Sequence, residues 1–184
     1  MARTPSTMVA LGTKAPAFIL PDTVSGKDIS LENIKGEIAT VIMFICNHCP
    51  FVKHVNAELV GLANDYNNKQ IGFAAISSND VINHPDDSPQ LMAQVAKQLK
   101  YPFPYLYDQS QETAKAYDAA CTPDFFIYDK DLRLVYRGQL DDSRPGNEMP
   151  VTGKDIRRAL DRLINNEPVP HEQRPSIGCN IKWK

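Results

Sequence analysis

Apolar residues run almost unbroken over residues 38–45, stop at Cys46-Asn47-His48-Cys49, and resume at Val52, Val55, Leu59, Leu62 and Tyr66. The first pattern predicts a strand covered on both faces, as in the middle of a parallel sheet. The second is the stripe of an amphipathic helix, and Pro50 suits its first turn, where a missing N–H costs no hydrogen bond. Residues 71–76 are apolar again and predict the next strand, joined by a right-handed crossover. Upstream, residues 17–20, the Pro21-Asp22 turn and residues 26–30 read as two short strands.

Downstream, Ser88-Pro89 predicts a helix with Leu91, Val95 and Leu99 on one side. Residues 105–107 are a short strand candidate and residues 111–117 a short helix. Residues 125–128 and 132–136 flank Asp129-Lys130-Asp131, the pattern of a hairpin. Thr152-Gly153-Lys154-Asp155 reads as the capping sequence of a last helix bearing Ile156, Leu160, Leu163 and Ile164. Past Asn166, Pro168, Pro170 and Pro175 forbid regular structure, yet Ile177, Ile181 and Trp183 follow, so the tail is expected to dock on the body. The organisation expected is a flexible N-terminus (1–11), one α/β domain with a mixed sheet between helices (12–166), and a packed tail (167–184).

Composition narrows the function classes. The chain has 184 residues, 42% of them hydrophobic, which suits one buried domain. A formal charge of −2 gives no electrostatic case for nucleic acid or for an anionic membrane, and no stretch reaches transmembrane length. The first ten residues are polar and unlike a secretory signal, so a cytoplasmic location is expected. There are four cysteines, and in a reducing compartment a close pair points to catalysis or metal binding before a structural bridge.

Cys46 and Cys49 stand where a strand gives way to a helix. Unpaired backbone N–H groups and the helix dipole favour a thiolate there. Cys46 is therefore the expected attacking thiolate and Cys49 the resolving thiol, with His48, if protonated, lowering the thiol pKa further. Two buried inert thiols are the bland reading, and their spacing at a strand-to-helix switch argues against it. Zinc binding is the other: Cys121, Cys179, His48 or His54 could complete four ligands, but no second C-x-x-C exists. No resident metal is expected. Cys121-Thr122-Pro123-Asp124 opens the strand at residue 125 with a proline, tolerated at a strand's first residue; an isolated X-Pro bond is trans by default. His84, His171 and Asp141-Asp142 read as ordinary surface loops.

The order of elements, the C-N-H-C-P turn and the later T-P before a strand resemble the thioredoxin-like superfamily. The front segment A-P-A-F-I-L-P-D, with F-I-C-N-H-C-P-F-V-K-H, C-T-P-D-F-F-I and G-C-N-I-K-W-K, resembles its redoxin-domain (AhpC/TSA, antioxidant-type) branch from Gly12 onward. The resemblance implies a thioredoxin-like fold with a peroxiredoxin-type N-terminal extension, and an oxidoreductase with no bound cofactor. It implies a cis Pro123 facing the cysteine pair, and a Thr122 that offers backbone groups to an extended substrate. The expected substrate is a protein or small-molecule disulfide, with electrons from a dithiol protein. Peroxide is the alternative substrate: Cys49-Pro50 matches the peroxidatic Cys-Pro, Cys46 replaces the family's threonine, and Arg137 is the candidate arginine near the thiolate. A non-catalytic zinc- or partner-binding module is the third reading. The chain departs from thioredoxin at Ile45, at Asn47-His48, and at Thr40, where thioredoxins carry a buried acid. Cys121 is a candidate core thiol, and Cys179 a candidate auxiliary thiol that could reach Cys46, Cys49 or Cys121.

Overall fold

The computed structural model describes residues 3–184. In chain order the elements are β1 (Thr4–Pro5), β2 (Ile19–Pro21), β3 (Asp28–Ser30), α1 (Leu31–Ile34), β4 (Ala39–Phe44), α2 (Pro50–Tyr66), β5 (Ile71–Ser77), a 3-10 turn (Pro85–Asp87), α3 (Pro89–Leu99), β6 (Tyr105–Tyr107), α4 (Glu112–Ala116), β7 (Cys121–Thr122), β8 (Asp124–Asp129), β9 (Leu134–Gly138), α5 (Lys154–Ile164) and β10 (Ile177–Asn180). The main sheet is mixed, in the order β6-β5-β4-β8-β9. β4 lies at its centre, parallel to β5 and antiparallel to β8, and every one of its residues is buried.

Alternate residues of β4 feed two cores, as the two-residue strand period requires. Val41, Met43 and Ile45 pack with α2, α3 and α5, while Ile42 and Phe44 face Leu31 of α1, Ala114 of α4 and the N-terminal Phe18. The stripe Val52, Val55, Leu59, Leu62 and Tyr66 is wholly buried, so α2 seals the first face. The cysteine turn therefore sits at the top of this face, between the centre strand and its covering helix.

Three expectations need correction. Leu91 is exposed, and α3 turns Met92 and Ala96 inward, with Val95 and Leu99 at the edge. Thr152 does not cap α5; Gly153 is the N-cap, in the left-handed region (φ 62), and Asp141 Oδ2 accepts from Thr152 N (2.7 Å) and Gly153 N (2.8 Å). The Asp141-Asp142 loop is thus a remote helix cap, a carboxylate placed where the helix dipole favours it. Within residues 1–11, predicted flexible, Thr4–Pro5 pair with Gly178 and Ile177.

The C-terminal segment runs as strand β10 between β1 and β7, with Cys179 opposite Thr122 and Asn180 opposite Cys121. Ile181 is its apolar anchor, buried in the second core, while Ile177 and Trp183 stay partly exposed. Lys182 ties the end down: its N–H donates to Asn79 Oδ1 (2.8 Å), and its carbonyl accepts from Asp80 N and Gln111 Nε2 (both 2.8 Å).

Candidate active site

β4 ends at Phe44 and α2 begins at Pro50, which leaves Cys49, not Cys46, as the N-cap residue. Pro at the first helical position fixes this register, because its preset φ opens a helix and it has no N–H to lose. The start of α2 accordingly falls at the second cysteine, whose side chain makes no cap hydrogen bond to the helix. The Thr122-Pro123 peptide bond is cis, and Thr122 lies against both sulfurs. Its Oγ1 is 3.4 Å from Cys46 Sγ, and its carbonyl accepts from the Cys49 thiol at 3.1 Å. Cys179, carried in by β10, has its Sγ 3.0 Å from Cys49 Sγ. All four cysteines are buried and none is in a disulfide.

The surroundings shift the two motif cysteines in opposite directions. Cys46 is pushed far up, first because its S–H donates to Cys49, then by burial and by the Asp87 carboxylate. Cys49 is pulled down despite burial, first by that donation from Cys46, with Cys179, Thr122 and the Val52 amide helping. Ionisation costs Cys49 its own bond to the Thr122 carbonyl, but two thiol donors and the start of α2 outweigh a single neutral hydrogen bond. Cys179 is pushed up to about 12 by burial and by its donation to Cys49. The surroundings thus favour ionisation at Cys49 and oppose it at Cys46 and Cys179.

His48 is aimed at a carboxylate. Its Nδ1 lies 2.6 Å from Asp87 Oδ2, and its ring stacks on His84 at 5.5 Å, so His84 belongs to the site's rim. Asp87 is fully buried and also accepts from Asn47 N (2.8 Å), His48 N (3.2 Å) and Asn79 Nδ2 (2.8 Å). Tyr105 closes the group, its hydroxyl donating to Asn47 Oδ1 at 3.2 Å. Asp87 and its partners were beyond sequence reasoning: the chain separation is long, and Asp86-Asp87 before Ser88-Pro89 looks like any acidic turn.

Three other candidates fall elsewhere. Arg137 pairs with Phe126 across the sheet and lies over that ring (4.5 Å), on the face away from α2. Its guanidinium donates to Asp124 Oδ2 (3.1 Å) and Asp118 O (2.6 Å), so it is a buried structural cation, not a partner of Cys49. Cys121 has only the Pro123 carbonyl near its sulfur, at 3.6 Å. His54 is hydrogen-bonded to Ser143 Oγ at 2.7 Å. Beside Thr122, the expected substrate shelf, β10 is already paired, with Cys179 opposite Thr122.

For a metal, Cys46 Sγ, His48 and Asp87 offer ligand atoms within 4.8 Å of one another. The donor set suits one poorly. The Asp87 oxygens already accept four N–H groups, one of them from the His48 ring that would have to be a ligand. No helix among the described residues is long and apolar enough to cross a membrane.

Comparison with known proteins places this geometry. A crystal structure of an uncharacterized conserved protein from Geobacillus kaustophilus is 62% identical, with TM-score 0.99 over 100% of this chain and 97% of that one. A hypothetical protein from Sinorhizobium meliloti 1021 is 46% identical, with TM-score 0.96 over 98% of each chain. The thioredoxin domain of a thiol-disulfide oxidoreductase from Bacteroides vulgatus shares the fold at 17% identity, with TM-score 0.67 over 86% of this chain and all of that one. Among curated proteins no match is found. The sequence profile of the AhpC/TSA family matches residues 11–137, more than half of the chain, which therefore belongs to that family and carries its thioredoxin-like fold.

Proposed function

We propose that the protein is a thiol-disulfide oxidoreductase in which Cys49 supplies the attacking thiolate and Cys46 resolves. The carrying observation is the N-cap position of Cys49 at the start of α2, with Thr122 O at 3.1 Å and Cys179 Sγ at 3.0 Å from its sulfur. In the reaction, the Cys49 thiolate attacks one sulfur of an incoming disulfide. A Cys49–substrate mixed disulfide forms, and the other half leaves as a thiolate that takes up a proton. Cys46 then loses its proton and attacks the Cys49 sulfur, releasing the second half as a thiol and leaving a Cys46–Cys49 disulfide. Two electrons have passed to the substrate, and a dithiol donor protein restores the pair.

The strand lying along Thr122 favours a small disulfide over an extended polypeptide, since that backbone edge is taken. His48 and Asp87 act as positioning residues: the carboxylate fixes the Asn47-His48 peptide that holds both cysteines in register. The test is turnover of a low-mass disulfide under a dithiol donor. Wild type is expected to turn over. Cys49→Ser is expected to be inactive, and Cys46→Ser, lacking that resolving sulfur, to turn over more slowly than wild type. Full activity in Cys49→Ser would overturn the assignment.

One observation favours a second reading, thiol peroxidase. A cysteine followed by proline at the first helical position and pulled toward the thiolate is the sulfur that reading needs. Against it, Arg137 is committed to Asp124 on the other face. Stopped-flow mixing with hydrogen peroxide separates the readings: fast, saturable sulfenic acid on Cys49 supports the peroxidase, and slow formation at the rate of a free thiol supports disulfide exchange.

A further inference from the structure

Strand β10 does more than close the sheet, because it delivers a third sulfur to the reacting one. The docking is specific. Cys179 stands opposite Thr122, the residue that touches both motif cysteines. Gly178, just before it, runs so close to the cis-proline loop that an added Cβ would lie 2.0 Å from the Thr122 carbonyl oxygen. Only glycine allows this approach, and the approach is what brings Cys179 Sγ to 3.0 Å from Cys49 Sγ. A disulfide bond is about 2.05 Å long, so bonding asks for about 1 Å of further closure. Hydrogen bonds on both sides of β10 and the buried Ile181 hold that sulfur in place.

We propose that Cys179 is a second resolving cysteine, so that Cys49 closes a disulfide either with Cys46 or with the C-terminal strand. This rests on the thiolate assignment for Cys49 made above. The step balances as follows. The Cys49 thiolate attacks an external disulfide, forming Cys49–S–S–R and releasing the other half as a thiol. Cys179 then loses its proton and its sulfur attacks the Cys49 sulfur. The Cys49–Cys179 bond forms, the bond to R breaks, and R leaves as a thiol carrying the proton. Two protein thiols are oxidised and one external disulfide is reduced to two thiols. Exchange by a free Cys46 thiolate can then pass the bond from Cys49–Cys179 to Cys46–Cys49. Cys179 therefore keeps Cys49 from remaining in a mixed disulfide when Cys46 is unavailable.

The probe is an aromatic disulfide whose released thiol is coloured, added in slight excess to the reduced full-length chain. Two coloured thiols per chain mean that an internal disulfide has formed, and one means that the mixed disulfide persists. Two are expected from wild type, Cys46→Ser and Cys179→Ser, and one from the Cys46→Ser/Cys179→Ser double variant. Peptide mapping after acid quenching is expected to find Cys49 joined to Cys179 in Cys46→Ser. Cys46→Ala serves as a second background should the serine variant fold poorly, and Cys121→Ser is the control expected to release two. If Cys46→Ser releases one while Cys179→Ser releases two, the Cys179 proposal falls and the Cys46–Cys49 reaction stands. If wild type releases none, or releases thiol with Cys49 unmodified, both fall.

Discussion

Cys49 and Cys121 lie on either side of Thr122-Pro123, both with no exposed surface, and their acidities move in opposite directions. Burial raises both thiols, because it penalises the charged form. At Cys121 only the Arg137 guanidinium opposes that penalty. The neighbouring Asp124 carboxylate adds to it, and the nearest polar atom is an acceptor, the Pro123 carbonyl. At Cys49 the penalty is overcome by donors: a thiol from the motif, a thiol from the tail and the amide-rich start of a helix. Reactivity in this fold is therefore set by what points at a sulfur, and depth alone selects an inert one.

The largest effects break that comparison outright. Cys49→Ser is expected to lower disulfide turnover by about 10³-fold or more, the scale of losing a nucleophile. Cys121→Ser is expected to leave the rate within about twofold, in line with a residue that touches no reacting atom. Steady-state rates on the two variants, each checked by circular dichroism, test this. Comparable losses in both would erase the distinction.

Next comes the buried pair behind Cys121. Arg137→Met strands Asp124 without its cation and is expected to cost about 3–5 kcal/mol of stability, measured by urea unfolding. Desolvation already raises Asp124 to about 6, with Arg137 opposing the rise. An acid whose folded pKa lies above its unfolded value loses stability as pH rises between the two. Removing the guanidinium widens that window upward, so the deficit of Arg137→Met is expected to shrink as pH falls through it. Thiolate absorbance of Cys49 is expected to be unmoved, since the pair lies on the opposite face of the sheet.

A smaller effect concerns the other side of the site. Asp87→Asn removes the charge that helps hold Cys46 up, and it sets an amide N–H₂ against four N–H donors. A destabilisation of about 1–3 kcal/mol is expected, together with a more acidic Cys46. Urea unfolding reads the first, and the thiolate titration of Asp87→Asn in a Cys49→Ser background reads the second.

These expectations differ in how far the chain alone could have led to them. The buried strand, the helix after it and the cysteine turn between were legible because periodicity reports them locally. So was the α/β class with its mixed sheet. The start of the helix was legible in principle: Pro50 marks the first helical residue, which makes Cys49 the N-cap. Asp87 carried no such mark, since its role comes from folding the 3-10 turn back over Asn47 and His48. The apolar tail announced that it docks, but its register against Thr122, which sets where Cys179 arrives, follows from long-range strand pairing that one sequence does not display. Arg137 is a candidate only through the family resemblance, and the two-residue strand period turns it to the far face beside Phe126.

The finest test asks whether donors set the acidity of Cys49. Cys46→Ala deletes the first of them, and one hydrogen bond to a charged sulfur is about 1.5–3 kcal/mol, or roughly one to two pKa units. The sign follows from the direction of the shift. A donor that stabilises the thiolate lowers the pKa, so its loss raises it, and the midpoint of thiolate absorbance moves to higher pH. Cys46→Ser keeps an O–H in the donor's place and is expected to leave the midpoint nearly where it was. The pair of variants separates hydrogen bonding from packing, because alanine and serine both leave space where the sulfur stood. A shift of the same size in both would mean that sulfur volume, and not donation, controls Cys49, and the contrast with Cys121 would then reduce to how tightly each thiol is packed.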